Sequence, residues 1–120
     1  MSKVILTVDD SSSMRQMVKM TLSAAGYDMI EAVDGKDALT KLRSPLNLII
    51  TDLNMPNLDG LGLIKKVRSD TAFKGLPIIM LTTESQESRK MEGKAAGATA
   101  WMVKPFSPQQ LLTVVKRIIG

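Results

Sequence analysis

The chain has no cysteine and no histidine among its 120 residues. That absence excludes a disulfide framework, Cys/His zinc sites, Ser-His-Asp and Cys-His nucleophile systems, and any histidine proton shuttle. Aromatic residues are only 3%, the 16 basic residues are scattered, and no run of five or more like charges occurs. A nucleic-acid surface is therefore not expected, and the net charge of +4 reads as a solvated surface biased toward acidic partners. Long hydrophobic runs are also missing. The apolar stretch in MSKVILTVDD is too short to span a bilayer and ends in two acids rather than a small-residue cleavage site, so a cytoplasmic location is expected. Any chemistry must run on carboxylates, hydroxyls, amides, lysines and a hard metal.

What is present is a chain of 120 residues at 44% hydrophobic content, which fits one compact domain over residues 1–120. Residues 3–8 (KVILTV), 46–51 (LNLIIT) and 77–82 (PIIMLT) are nearly continuous apolar runs, as in strands covered on both faces. Residues 27–33 and 100–103 are weaker versions. Between them, Met14, Met17, Val18, Thr21, Leu22 and Ala25 share one helical face, and Leu111, Val114, Val115 and Ile118 another. Gly26 and Gly97 fall where helices should end, Pro45 and Pro77 just before or at strands, and Ser107-Pro108-Gln109-Gln110 reads as a capping box. Five strands alternating with five helices predict an α/β fold, a parallel sheet with helices on both faces and right-handed crossovers. Residues 86–96 form the weakest helix, with Met91, Ala95 and Ala96 as its apolar anchors and Gly93 inside it.

Asp9 and Asp10 come directly after the first strand and Asp52 after the third. In a parallel sheet they share the carboxyl edge, where open α/β sheets place ligand sites. Thr82 at the end of the fourth strand and Lys104 after the fifth add a hydroxyl and an ammonium to that rim. Three carboxylates about 5 Å apart repel by roughly 3 kcal/mol per pair at an effective dielectric of about 20. A hard divalent ion relieves that repulsion, and an all-oxygen donor set suits Mg²⁺, Mn²⁺ or Ca²⁺, with Mg²⁺ the natural choice beside a phosphoryl group. Taken singly, Asp9, Asp10 and the following serines equally suit capping of the first helix; the joint placement points to a site.

At these residues the chain resembles the receiver domain of two-component response regulators, and within it the single-domain chemotaxis type. The likeness runs from Asp9-Asp10 to the last helix. Its most specific stretch is Asp52-Leu53-Asn54-Met55-Pro56-Asn57-Leu58-Asp59-Gly60, and Lys104-Pro105-Phe106 is a second marker. The resemblance implies a flavodoxin-like, doubly wound (βα)5 fold of strand order 2-1-3-4-5. It implies Asp52 as phosphoacceptor, Mg²⁺ held by Asp10, Asp52 and the Asn54 backbone carbonyl directly and by Asp9 through water, and Lys104 and Thr82 on the phosphoryl oxygens. It further implies a cis Lys104–Pro105 bond, a switch through Thr82 and Trp101, and reset by hydrolysis tuned at Asn54 and Glu84.

Tryptophan stands at position 101 where the family more often has tyrosine or phenylalanine, and Thr83 stands where a smaller residue is common and narrows access for small donors. The family's output face would here carry Arg89, Lys90, Lys94, Lys116 and Arg117. The implied role is a signalling switch rather than an enzyme, phosphorylated by a sensor histidine kinase of the CheA type. Its target would be the flagellar switch or another protein, with a phosphatase as a further candidate partner. It would act as a monomer, without nucleic acid or membrane. A phosphorelay or pilus role is the alternative output. A flavodoxin-like carrier is disfavoured because Asp9 and Asp10 repel a cofactor phosphate, and an aspartate-nucleophile phosphatase because its acids stand two apart rather than adjacent.

Overall fold

The computed structural model describes residues 2–43, 45–83 and 89–120. Among these, β1 (Val4–Val8), α1 (Ser12–Ala24), β2 (Asp28–Ala32), α2 (Gly35–Thr40), β3 (Leu48–Asp52), α3 (Gly60–Ser69), β4 (Ile78–Thr83), α4 (Lys90–Ala96), β5 (Ala100–Lys104) and α5 (Pro108–Ile119) alternate along the chain. All pairings are parallel and the strand order is 2-1-3-4-5. The expected fold is thus the observed one. The predicted strands are shifted by a residue or two. Pairing continues to Asp52 opposite Leu81 and to Lys104 opposite Thr83, so both residues end strands instead of following them.

Alternation along each strand divides the core. Ile5, Leu48, Ile50, Ile79 and Leu81 pack with Val18 and Leu22 of α1 and Leu111 and Val115 of α5. Leu6, Val8, Ile49, Ile78 and Met80 face the other way, onto Ala38 of α2 and Leu61, Leu63, Ile64 and Val67 of α3. The leucine, isoleucine, valine and methionine side chains buried this completely contribute about 1.5–3 kcal/mol each relative to exposure. Ala25 is not part of this packing: it is exposed and caps the end of α1, because Gly26 with φ 98° turns the chain away there. Ser107 and Gln110 form the predicted capping box on α5.

The described part of α4 spans seven residues; Gln86, Glu87 and Ser88 of the predicted helix lie outside the described residues. Met91 is 75% exposed, which corrects its expected role as an anchor, and Ala95 is exposed as well. What α4 buries is Gly93. Its C-terminal end is held from α3, where Arg68 donates to the Gly97 carbonyl through Nε at 3.1 Å and Nη2 at 2.7 Å. Arg68 Nη1 donates to the carbonyls of Lys74 at 3.0 Å and Leu76 at 2.6 Å. At the other end, Arg89 makes no side-chain capping bond among the described residues.

Candidate functional site

Parallel strands end together, and the polar residues at their carboxyl ends meet there. One carboxylate oxygen from each of Asp9, Asp10 and Asp52 lies within 4.8 Å of the others. Lys104 Nζ donates to Asp52 Oδ1 at 3.0 Å and stands 3.6 Å from Asp9 Oδ2. The two acids and the lysine come from three different strand ends, so the arrangement exists only in the folded chain.

Asp9 is 1% exposed, whereas Asp10 is exposed. Asp9 Oδ1 accepts from the Ser11 backbone N–H at 2.9 Å, while Oδ2 has no hydrogen-bond partner among the described residues. Burial pushes the Asp9 carboxyl above its ordinary value; the Ser11 N–H opposes this, Asp52 and Asp10 reinforce it, and Lys104 opposes it. The capping of α1 falls to Ser11, whose hydroxyl accepts from the Met14 N–H at 3.3 Å. Asp9 and Asp10 are left for the cluster.

Thr82 is fully buried, and its hydroxyl has no hydrogen-bond partner among the described residues. A buried hydroxyl without a partner costs about 1–3 kcal/mol, which is retained where a ligand group supplies the bond. Trp101 pairs with Met80 across the β4–β5 register, and Thr82 stands two residues on from Met80; Thr82 and Trp101 therefore share the sheet face toward α3 and α4. The indole Nε1 is also buried without a partner among the described residues.

The loop after Asp52 is built tightly. Gly60 N–H donates to the Leu53 carbonyl at 2.8 Å, closing residues 54–59 into a compact excursion. A Cβ at Gly60 would lie 2.4 Å from the Asp52 carbonyl oxygen, so α3 can start this close to Asp52 only at a glycine. Asp59 caps α3 through the Gly62 N–H at 2.8 Å. Asn54 lies in this loop, exposed, and Glu84 lies outside the described residues.

The residues of the predicted output face are distributed unevenly. Lys90 and Lys94, both exposed, border a cavity of about 200 Å³ with Ala98, Thr99, Ala100 and Trp101. Lys116 and Arg117 are exposed in the last turn of α5. Arg89 turns toward Glu92 at 3.3 Å and Asp59 at 3.9 Å. The Lys104–Pro105 bond is cis.

Sequence reasoning passed over Asp34 and Gly35, and it named Asn57 within the loop after Asp52 without giving it a role. Asp34, 7% exposed, accepts from the Asp37 N–H at 2.8 Å and from Asn57 Nδ2 at 2.7 Å. The signal that could have found the first bond is the aspartate before Gly35 at a helix start. Nothing local announces the second, which crosses 23 residues.

A parallel five-stranded sheet with acids from two central strand ends and a lysine from the edge strand defines a receiver, and the family model for the response regulator receiver domain matches residues 5–116. The chain belongs to that family. Within it, the likeness is to the chemotaxis type. The chain is 46% identical over 119 residues to the chemotaxis protein CheY1 of Helicobacter pylori, covering 97% of this chain and 96% of that protein. It is 42% identical over 120 residues to the CheY homolog of Campylobacter jejuni, covering 97% and 92%. The solved structure of CheY4 of Vibrio cholerae superposes with a TM-score of 0.92 at 47% identity, over 98% of this chain and 99% of that one. Among the described residues, no helix is long and apolar enough to cross a membrane.

Proposed function

We propose that residues 1–120 act as one receiver domain, a Mg²⁺-dependent switch that takes a phosphoryl group onto Asp52. The observation that carries this reading is the charge geometry around Asp52: an ammonium 3.0 Å from one oxygen and two further carboxylates within 4.8 Å. The donor set fits a hard ion, being all oxygen, with one buried carboxylate oxygen of Asp9 lacking a hydrogen-bond partner among the described residues. Asp10, Asp52 and the Asn54 carbonyl would hold the ion, with Asp9 acting through water. When bound, Mg²⁺ supplies charge neutralisation to the acids and to the incoming phosphoryl oxygens.

The chain's own groups account for the rest. An Asp52 oxygen attacks phosphorus in line as the P–N bond of a kinase phosphohistidine breaks, and the leaving imidazole takes a proton. Lys104, already at Asp52, would exchange that carboxylate oxygen for a phosphoryl oxygen, and the Thr82 hydroxyl has a proton to donate and no competing acceptor among the described residues. Water attack on the acyl phosphate releases inorganic phosphate and restores the Asp52 carboxylate, at a rate tuned from Asn54 and Glu84.

The relatives' names support a place in chemotaxis, with a CheA-like histidine kinase upstream, a phosphatase for reset and the flagellar switch as target, all in the cytoplasm. The output face would centre on Lys90, Lys94, Lys116 and Arg117, with Trp101 and Thr82 coupling it to Asp52. The test is an intact-mass spectrum after incubation with Mg²⁺ and acetyl phosphate, and with the loaded kinase because Thr83 borders the approach. One labile phosphoryl adduct is expected, absent from Asp52→Asn and from a chelated control. No adduct from either donor refutes the reading.

A further inference from the structure

The acids stand on two separate pieces of chain, the turn after β1 and the end of β3, and that turn and the loop that follows β3 are both tied to one short corner between β2 and α2. The Asp9 N–H donates to the Ala32 carbonyl at 3.1 Å. Two residues further on, the Asp34 carboxylate uses both of its oxygens: Oδ1 caps α2 through Asp37 at 2.8 Å, and Oδ2 accepts from Asn57 Nδ2 at 2.7 Å. The next residue, Gly35, donates its N–H to the Leu58 carbonyl at 3.0 Å. A Cβ at Gly35 would stand 2.5 Å from that same oxygen, so the approach of the two backbones requires glycine.

Asn57 has φ 68°, in the left-handed region that asparagine tolerates better than most residues. Its amide is thereby turned out of the loop and onto Asp34. Between Leu53, where the loop leaves the sheet, and Gly60, where it returns to Leu53, these are, among the described residues, the hydrogen bonds that tie the excursion to the corner before α2. Asn54 is three residues from Asn57 within the same excursion.

We propose that Asp34 and Asn57 are a positioning pair. By anchoring the β3–α3 loop to the corner that also holds Asp9, they set the spacing between the Asn54 backbone and the carboxylates of Asp9, Asp10 and Asp52. Neither residue touches the reacting atoms. The inference rests on the Mg²⁺-receiver reading, and it concerns how the ion's protein donors are held in register. Supporting residues of this kind change metal affinity by about tenfold or more when removed.

The test measures Mg²⁺ affinity by isothermal titration, beside urea unfolding in chelator. Asn57→Gly keeps the left-handed backbone and deletes the bond; Asp34→Ser keeps a capping oxygen for α2 and deletes the same bond from the other side. Both are expected to weaken Mg²⁺ about tenfold while remaining folded. The exchanged pair Asp34→Asn with Asn57→Asp restores one donor facing one acceptor and is expected to regain affinity to within about threefold of the parent. Parent-like affinity in both single variants, with Asp10→Ala abolishing binding, overturns the positioning role and leaves the receiver reading intact. Failure of the exchanged pair to recover any affinity also overturns it. Unchanged affinity in Asp10→Ala itself overturns the metal-site reading, and this inference with it.

Discussion

Gly93 and Trp101 are fitted to each other: a Cβ on Gly93 would lie 2.3 Å from the indole Cζ3. The indole therefore occupies space that an alanine in α4 would claim, and α4 meets β5 through a glycine rather than through the methionine that its sequence offers. Gly93→Ala is expected to destabilise the fold by about 1–3 kcal/mol through overpacking, despite alanine's advantage of about 1 kcal/mol as a helix former. Urea unfolding reads the loss. Combining it with Trp101→Phe should recover much of it, since residues in contact are non-additive; simple addition of the two effects would show that the ring does not respond to Gly93.

The Asp9 carboxylate is a cost of the metal-free state. Like charges within 4.8 Å repel by roughly 3 kcal/mol per pair at an effective dielectric of about 20, partly offset here by Lys104. Asp9→Asn keeps the acceptor for Ser11 and removes the charge, so in chelator it should be more stable than the parent by on the order of 1–3 kcal/mol. The rise in melting temperature on adding Mg²⁺ should shrink in the same variant. A less stable Asp9→Asn in chelator would contradict the repulsion.

Acid titration should show two opposed limbs. Hydrogen bonds hold the Asp34 carboxyl below its ordinary value of 3.8, the Asp37 N–H first and Asn57 second, and the Val33 N–H and Lys41 hold Asp37 below it in the same way. Their stabilisation is complete above the unfolded-state value and is lost as pH falls through the depressed folded-state values. Asp9 behaves oppositely: its folded value is raised, so its cost stands at neutral pH and is relieved as pH falls through that raised value. Urea midpoints between about pH 6 and pH 2 in chelator should therefore rise slightly before they drop. Asp9→Asn should remove the rise, and Asp34→Ser with Asp37→Asn should blunt the drop; an unaltered drop would reassign it to other acids.

Charge reversal on the proposed output face separates signal from chemistry. Lys94→Glu with Lys116→Glu should weaken binding to an acidic partner segment about tenfold or more, mostly where ionic strength is low. Phosphorylation of Asp52, followed by intact mass, should be unchanged. Equal partner affinity before and after reversal would remove these lysines from the interface.

The sheet was legible because its central strands are covered on both faces: β3 and β4 read as unbroken apolar runs, and the acids at their ends followed from the parallel order. β2, an edge strand with exposed Asp28 and the half-buried Glu31, gave a fainter pattern for that reason. Met91 misled because helical spacing reports which residues align, not which side of a seven-residue helix meets the sheet. The bonds from Asp34 to Asn57 and from Arg68 to Gly97 join residues 23 and 29 apart. Each depends on backbone placed by the whole fold, which composition and periodicity do not carry. Asp9, Asp10, Asp52, Thr82 and Lys104 were visible as strand-end residues; what holds them in register was not.

The uneven fastening of α4 makes the helix a lever. Arg68 fixes the Gly97 end through two bonds, whereas among the described residues the Arg89 end has no side-chain cap and is tied to α3 by the looser ion pair with Asp59 at 3.9 Å, so the fulcrum sits at the C-terminus. Seven residues at 1.5 Å rise give an arm of about 10 Å, and a tilt of about 10° carries the N-terminal end through about 2 Å. Lys90 at the tip would sweep several times farther than Ala96 near the pivot. Displacements on this surface are thereby graded along one helix, with the largest travel at Lys90 and the least at Ala96.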